Sequence, residues 1–154
     1  MRTMTRVTPE LIQQAYIALA SEDRDQAVKY WSEDIRFLVP GQHAQAGWRV
    51  GLDDFLDLRR ALVRASGGTF TAELLHTMID GDHSMDTFQL SGTRAGAAPD
   101  STSPFDVLDA HGMQVFRWFE GRIVEGHTGF FGDGATNYNQ WWSPLGPDGE
   151  RRNP

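Results

Sequence analysis

Apolar residues recur at helical spacing through the first third of the chain and at alternating spacing through most of the rest. Leu11, Ile12, Ala15, Tyr16 and Leu19 follow Thr8-Pro9-Glu10. Thr8 suits an N-cap, Pro9 the first helical position and Glu10 the helix dipole, so a helix is predicted to start there. A break at Ser21-Glu22-Asp23 precedes a second short helix with Ala27, Val28 and Trp31 on its apolar side. Ile35, Phe37 and Val39 then alternate with Arg36 and Leu38 as a strand, which runs into the glycine-punctuated loop after Pro40-Gly41. A third helix is predicted over 52–65, with Phe55, Leu58, Leu62 and Val63 apolar.

Beyond residue 68 the period falls to two. Phe70, Ala72, Leu74, His76 and Met78 share one parity, and Asp80-Gly81-Asp82 is a hairpin turn signal into the strand that begins at His83. The loop "AGAAPDSTSP" separates that strand from "MQVFRWF", which turns at Glu120-Gly121 into "RIVEGHTGFF". Helices followed by a mostly antiparallel sheet predict an α+β layer arrangement in one domain over 1–154, with its core at about 8–143 and a frayed tail from Asp148.

Composition narrows the function classes. A net charge of −7 argues against nucleic acid or an anionic membrane surface as partner. No cysteine is present, which removes disulfides and thiolate chemistry. The N-terminus lacks the apolar core of a signal peptide, so a cytoplasmic location is expected. No histidine pair has i, i+4 spacing and no phosphate-binding or dinucleotide fingerprint occurs, so neither metal nor cofactor is implied.

The candidate chemistry lies in a few polar residues. Asp86 shares a parity with Phe88 and Leu90, and a carboxylate on the apolar face of a strand is costly unless paired or protonated. The competing face is Met85, Thr87 and Gln89. Of five histidines, His43 lies on the loop after the first strand, and His76 lies on the face of Phe70, Ala72, Leu74 and Met78. His83 belongs to a turn, and the facing of His111 is open. In "RIVEGHTGFFGD" alternation sets His127 outward with Glu125 and puts Gly126, Thr128 and Phe130 inside, unless a bulge near Gly126 and Gly129 reverses it. Trp31, Val39, Trp48, Phe116, Trp118 and Phe130 are candidates to line a pocket for a hydrophobic, cyclic or aromatic ligand. Plain core packing is their alternative reading.

The order of "AYIALASEDRDQAVKYWSEDIRF", "VPG…G…G…F" and "VFRWFEGRIVE" resembles the nuclear-transport-factor-2-like superfamily, and within it SnoaL-like polyketide cyclases and ketosteroid isomerase-like proteins. The resemblance covers about residues 8–143. It implies a curved sheet wrapped against helices around a conical pocket, as in cystatin-like folds, and a homodimer formed through the outer face of the sheet. It implies an oxyanion-hole tyrosine at Tyr16 and a hydrogen-bond donor to the oxyanion at Gln114, where the isomerases carry an acid. Core packing of Tyr16 and a structural bond for Gln114 remain the alternatives. The isomerases' catalytic aspartate falls on Val39, which cannot move a proton, and the histidine of many SnoaL-like sequences falls on Leu38. Glu125, His127 and Asp133 match the cyclases' E…W…D motif only in part.

Replacement bases are therefore His43, His127 and Asp86, the last coupled to His43, His76 or His127. "YNQWWSPLGP" resembles the family's aromatic C-terminal segment, and of its adjacent tryptophans one is expected to face an interface. The function implied is cofactor-independent isomerisation, cyclisation or dehydration of a hydrophobic carbonyl compound by general acid–base chemistry. A non-catalytic binding or interaction module is the alternative from another class. Epoxide hydrolysis is the lesser alternative, because its Asp–Arg–Asp set is not recognisable here.

Overall fold

A computed structural model of the chain describes residues 5–143. Thr8 caps α1 (Pro9–Ala20): its side-chain oxygen accepts the Leu11 N–H at 3.1 Å and Pro9 opens the helix. Asp23 caps α2 (Arg24–Ala27), which lasts only one turn. The chain is already extended at Trp31, the first residue of β1 (Trp31–Val39) and not part of a helix as its spacing predicts. The Trp31 indole N–H donates to the Ala15 carbonyl at 2.9 Å and ties the start of the strand under α1.

A short strand that the sequence pattern does not reveal, β2 (Gly47–Val50), returns along β1 before α3 (Leu52–Ala65). The helix has the predicted limits and buries Leu52, Phe55, Leu56, Leu58 and Leu62. Two hairpins follow: β3 (Thr71–Asp80) with β4 (His83–Thr93), and β5 (Val107–Phe119) with β6 (Arg122–Phe130). Their turns rest on positive φ angles at Gly81 and at Glu120-Gly121, as the turn residues predict. A further helix, α4 (Gly134–Trp141), closes the described chain. The predicted frayed tail lies outside the described residues.

The strands form one six-stranded sheet in the order β2-β1-β6-β5-β4-β3, antiparallel throughout except where β1 runs parallel to β6. It is an open, curved sheet with the helices packed on it, the expected α+β arrangement. Among the described residues no helix is long and apolar enough to cross a membrane.

Two one-residue bulges set which side chains face inward. In β3 the register steps from Leu74 opposite Phe88 to His76 opposite Thr87, leaving Leu75 unpaired. In β6 it steps from Glu125 opposite Arg117 to Ile123 opposite Trp118, leaving Val124 unpaired. An extra residue bends a strand and reverses the parity beyond it. Ile123 and Gly126 are therefore both buried although their numbers differ by three.

The core is held by aromatic rings. Trp31 stacks on Phe55 at 5.0 Å between centroids and meets Phe116 edge-on at 5.5 Å; Phe37 meets Phe55 at 5.0 Å. Gly126 lies beside Phe37 on one neighbouring strand and Phe116 on the other. A Cβ there would stand 2.7 Å from the Phe37 ring and 2.8 Å from the Phe116 ring. Gly126→Ala is expected to cost about 1–3 kcal/mol by overpacking, read as a lower urea midpoint at unchanged slope. An unaltered midpoint would mean that these rings have room to move.

Candidate functional site

A polar row crosses the inner face of the sheet. Thr77, Asp86, Gln114 and Thr128 stand directly opposite one another on β3, β4, β5 and β6. The bulge at Leu75 creates the first member: it turns Thr77 inward, where its hydroxyl lies 3.0 Å from Asp86 Oδ1. Asp86 is buried with 0% exposure between Ser84 and Phe88 on the inward face of β4. From α1, the Tyr16 hydroxyl reaches the middle of the row, 2.9 Å from Asp86 Oδ2 and 2.9 Å from Gln114 Oε1. Tyr16 is fixed from the side by Trp31, whose ring meets it edge-on at 6.1 Å.

Burial raises the Asp86 pKa above its ordinary value, and the hydrogen bonds from Tyr16 and Thr77 only partly oppose that shift. Burial also raises the Tyr16 pKa, and the neighbouring Asp86 charge adds to the rise. The phenol has one proton and two acceptor oxygens at equal distance. The count closes when Asp86 is protonated: Asp86 donates to the Tyr16 oxygen and Tyr16 donates to Gln114 Oε1. With Asp86 ionised, Tyr16 donates to Asp86, and the Gln114 amide has to turn over so that Nε2 donates to Tyr16.

The row opens onto a pocket bounded by α1, α3 and the sheet. Tyr16, Leu19, Trp31, Phe37, Val39, Pro40, Gln114, Thr128, Phe130 and Tyr138 line it, with Phe55, Leu58, Arg59 and Leu62 of α3 facing them. Its empty volume is about 670 Å³ counted out to the open mouth. That is an upper bound, and it restricts the occupant to one small organic molecule. The wall is mostly apolar, and burial pushes the Tyr138 pKa up to about 12, so that phenol stays neutral. Asp86 does not itself line the pocket; Tyr16 links the carboxyl group to it.

Residues 12–126, from α1 to β6, match the family described as the SnoaL-like domain. The chain belongs to the SnoaL-like family. Among solved structures, Bal32a from a soil-derived mobile gene cassette is similar at 23% identity over 86% of this chain and 94% of that one, with a TM-score of 0.74. A proposed polyketide cyclase from Sinorhizobium meliloti is similar at 19% identity over 79% and 95%, with a TM-score of 0.59. TerC, co-crystallised with polyporic acid, is similar at 12% identity over 79% and 88%, with a TM-score of 0.63. At these identities the likeness is one of fold. No curated protein matches the chain.

In this SnoaL-like chain the histidines stand outside the pocket. His43 is buried, but it lies in the turn below α4: its Nδ1 accepts the Gln45 N–H at 3.1 Å, and its Nε2 lies 3.0 Å from the Pro40 carbonyl. Both ring nitrogens serve the loop, and burial lowers the pKa. His127 faces out, 3.2 Å from Glu125 and edge-on to Trp48. His127 is outward as expected, but the bulge at Val124 sets it so: counted in twos from the buried Ile123 it would face inward. His76 is exposed, because the bulge at Leu75 carries it off the face of Phe70, Ala72 and Leu74. His111 and His83 are exposed, and Asp133 is exposed at the start of α4. The expected histidine–Asp86 couple does not form; the partner of Asp86 is Tyr16.

Tyr16, Gln114, Trp31, Val39 and Phe130 stand on the pocket wall. Three other candidates do not. Phe116 is packed beneath Trp31 and Phe37, Trp118 is buried with its indole N–H on the Ser84 hydroxyl at 2.9 Å, and Trp48 is exposed under the Arg36 guanidinium. Trp141 and Trp142 are both buried, contrary to the expectation that one serves an interface. Neighbours at a helix end point about 100° apart, so each finds its own cover: Trp141 under Arg94, Trp142 against His43.

Sequence reasoning missed Arg59, and it set Thr128 inward without naming it as part of the site. On α3, Phe55, Leu58, Arg59 and Leu62 follow the i, i+3, i+4, i+7 spacing of one apolar stripe, so a cation at the third position is the signal that was available. Among the described residues, no group of three or more His, Asp or Glu side chains is placed to hold a metal.

The raised Asp86 pKa carries a pH signature. Above the ordinary value of 3.8 and below the folded value, the native state binds more protons than the unfolded chain, so stability falls as pH rises through that window. Asp86→Asn keeps the shape and removes the titration. It is expected to flatten this fall from about pH 4 upward in urea unfolding, and to be at least as stable as the parent at neutral pH. A slope identical to the parent's would mean that Asp86 does not titrate in that range.

Proposed function

We propose that the pocket binds a hydrophobic carbonyl compound and isomerises, cyclises or dehydrates it by proton transfer at Tyr16. The single observation that carries this reading is the Tyr16 hydroxyl at the pocket wall, 2.9 Å from a fully buried carboxyl group. A protonated Asp86 occupies the Tyr16 oxygen, so the phenol proton is directed at Gln114 in the empty site and at a carbonyl oxygen in the filled one. Gln114 then turns its Nε2 to the same oxygen as a second donor, without any tuning of its own pKa.

The proton count balances on this one relay. Tyr16 delivers its proton to the carbonyl oxygen, or to a departing hydroxyl in a dehydration, and Asp86 replaces it. The pair is then one proton short: the α-proton of the same substrate passes to the Tyr16 oxygen while the phenol proton moves back to the Asp86 carboxylate, which returns the site to its starting state. The walls of Trp31, Phe37, Phe55 and Phe130 suit a flat ring system. The co-crystallisation of TerC with polyporic acid supports the general idea of a small-molecule site on this fold.

The second reading, a non-catalytic binding module, is favoured by one observation. Val39 and Pro40 form an apolar wall where the isomerases hold their base. Deuterium exchange at the α-carbon of an aryl ketone such as a tetralone, followed by NMR in heavy water, separates the two. The enzyme reading expects exchange faster than buffer, slowed by more than about tenfold in both Tyr16→Phe and Asp86→Asn. A bound ketone that exchanges no faster than in buffer would leave only the binding module.

We further propose that two copies pair through the outer face of the sheet. Met78, Met85 and Val115 stand side by side across β3, β4 and β5, and Met113 lies in the adjoining row. Met78 is 56% exposed. Met85→Glu is expected to convert a dimer into a monomer in sedimentation analysis, and a parent protein that sediments as a monomer would end this proposal.

A further inference from the structure

We propose that Arg59 anchors an anionic oxygen, so that the occupant of the pocket is a hydrophobic carbonyl compound carrying a carboxylate. The inference rests on the carbonyl reading of Tyr16 and Gln114 for one half of the ligand, and on Arg59 alone for the other half.

Arg59 is half-buried on α3, on the stripe of Phe55, Leu58 and Leu62, and lines the pocket with them. Its Nε is buried and makes no hydrogen bond among the described residues. Other arginines of the chain are differently placed: Arg24, Arg49 and Arg60 each meet a carboxylate within 3.3 Å. No such ion pair involves Arg59 among the described residues. Its nearest electrostatic support is the Phe70 ring, 5.9 Å from the guanidinium carbon, with Glu22 acting from beyond ion-pair distance. An arginine kept for packing alone would lay its stem on the apolar wall and put its N–H groups in water. Here the Nε–H is inside and no described protein group answers it, which is unfavourable in the protein alone.

The pocket holds a second unanswered polar atom, Thr128 Oγ1 at the end of the polar row. A side chain that is costly in the free protein, and lines a mostly apolar cavity, is explained by a ligand group that answers it. The chemistry of the donor set selects the group. A guanidinium presents a flat fork that matches a carboxylate through two parallel N–H donors. Arg59 is the only cation among the described lining residues, which suits a monoanion and not a doubly charged phosphate. The net charge of −7 gives no general attraction for anions, so selection has to come from this one side chain.

The test uses a naphthalene carrying an acetyl group on one ring and a carboxyl group on the other, together with its methyl ester, titrated calorimetrically into the full chain. The parent is expected to prefer the acid by about tenfold or more. Arg59→Leu should abolish that preference while binding the ester at least as well, and Arg59→Lys should retain part of it. Unliganded Arg59→Leu should also melt higher, by about 3 °C, because an unpartnered buried N–H is removed. Equal affinity of the parent for acid and ester, a preference that survives in Arg59→Leu, or failure of the acid to bind would each overturn the proposal. Tyr16→Phe separates it from the reading it rests on. If that variant binds both compounds as the parent does while the acid preference persists, the carbonyl site falls and the Arg59 anchor stands.

Discussion

Taking a carboxyl group out of water costs several kcal/mol unless it is neutral or fully hydrogen-bonded, and Asp86 has no exposed surface. The site is arranged around that requirement. The bulge at Leu75 places Thr77 opposite Asp86, the regular register of β4 with β5 puts Gln114 on its other side, and Tyr16 descends from α1 between them. Remove the bulge, and His76 would stand where Thr77 now satisfies Oδ1. The same requirement makes α1 part of the site, because among the described residues the Tyr16 hydroxyl alone satisfies Oδ2. The stacked rings of Trp31 and Phe55, with Phe116 edge-on, fix the height at which that hydroxyl arrives.

Polar groups around the pocket fall into two kinds. Those of the Tyr16–Asp86–Thr77 cluster answer one another, so they hold a defined geometry in the empty protein. Among the described residues no protein group answers Arg59 Nε or Thr128 Oγ1. A folded chain selected for stability alone would place leucine at the Arg59 position, as it does at Leu58 and Leu62 beside it. Local rules of packing are broken at this one point of an otherwise regular amphipathic helix, and such breaks concentrate where a protein binds or reacts.

How much of this was legible in the sequence depended on whether the strands kept their period. The limits of α3, the turns at Gly81 and Glu120-Gly121, and the inward parity of Asp86 and Gln114 all follow from uninterrupted patterns. Fold and family were readable for the same reason. The facing of His76 was not, because a single unpaired residue at Leu75 reverses every parity beyond it and leaves no mark in composition. Trp31 was misplaced because a one-turn helix and the start of a strand both accept an aromatic residue there. Arg59 could have been found, since its spacing places it on the apolar stripe; a charged residue in a helix is too easily assigned to the solvent face.

The loop after β1 follows from the same division of labour. His43 has the right place in sequence to replace a strand-end base, yet its two ring nitrogens are committed to Gln45 and Pro40, and its ring is parallel to Trp142. It joins the loop to α4 and thereby supports the pocket wall at Pro40 and Tyr138 without entering it. Val39 can then be purely apolar, because the proton-bearing groups are gathered on the row that Tyr16 meets. An apolar wall at Val39, donors at Tyr16 and Gln114 and a cation at Arg59 leave a bound molecule few orientations that match all three. That constraint would orient a carbonyl group against the Tyr16 phenol, as the proposed function requires.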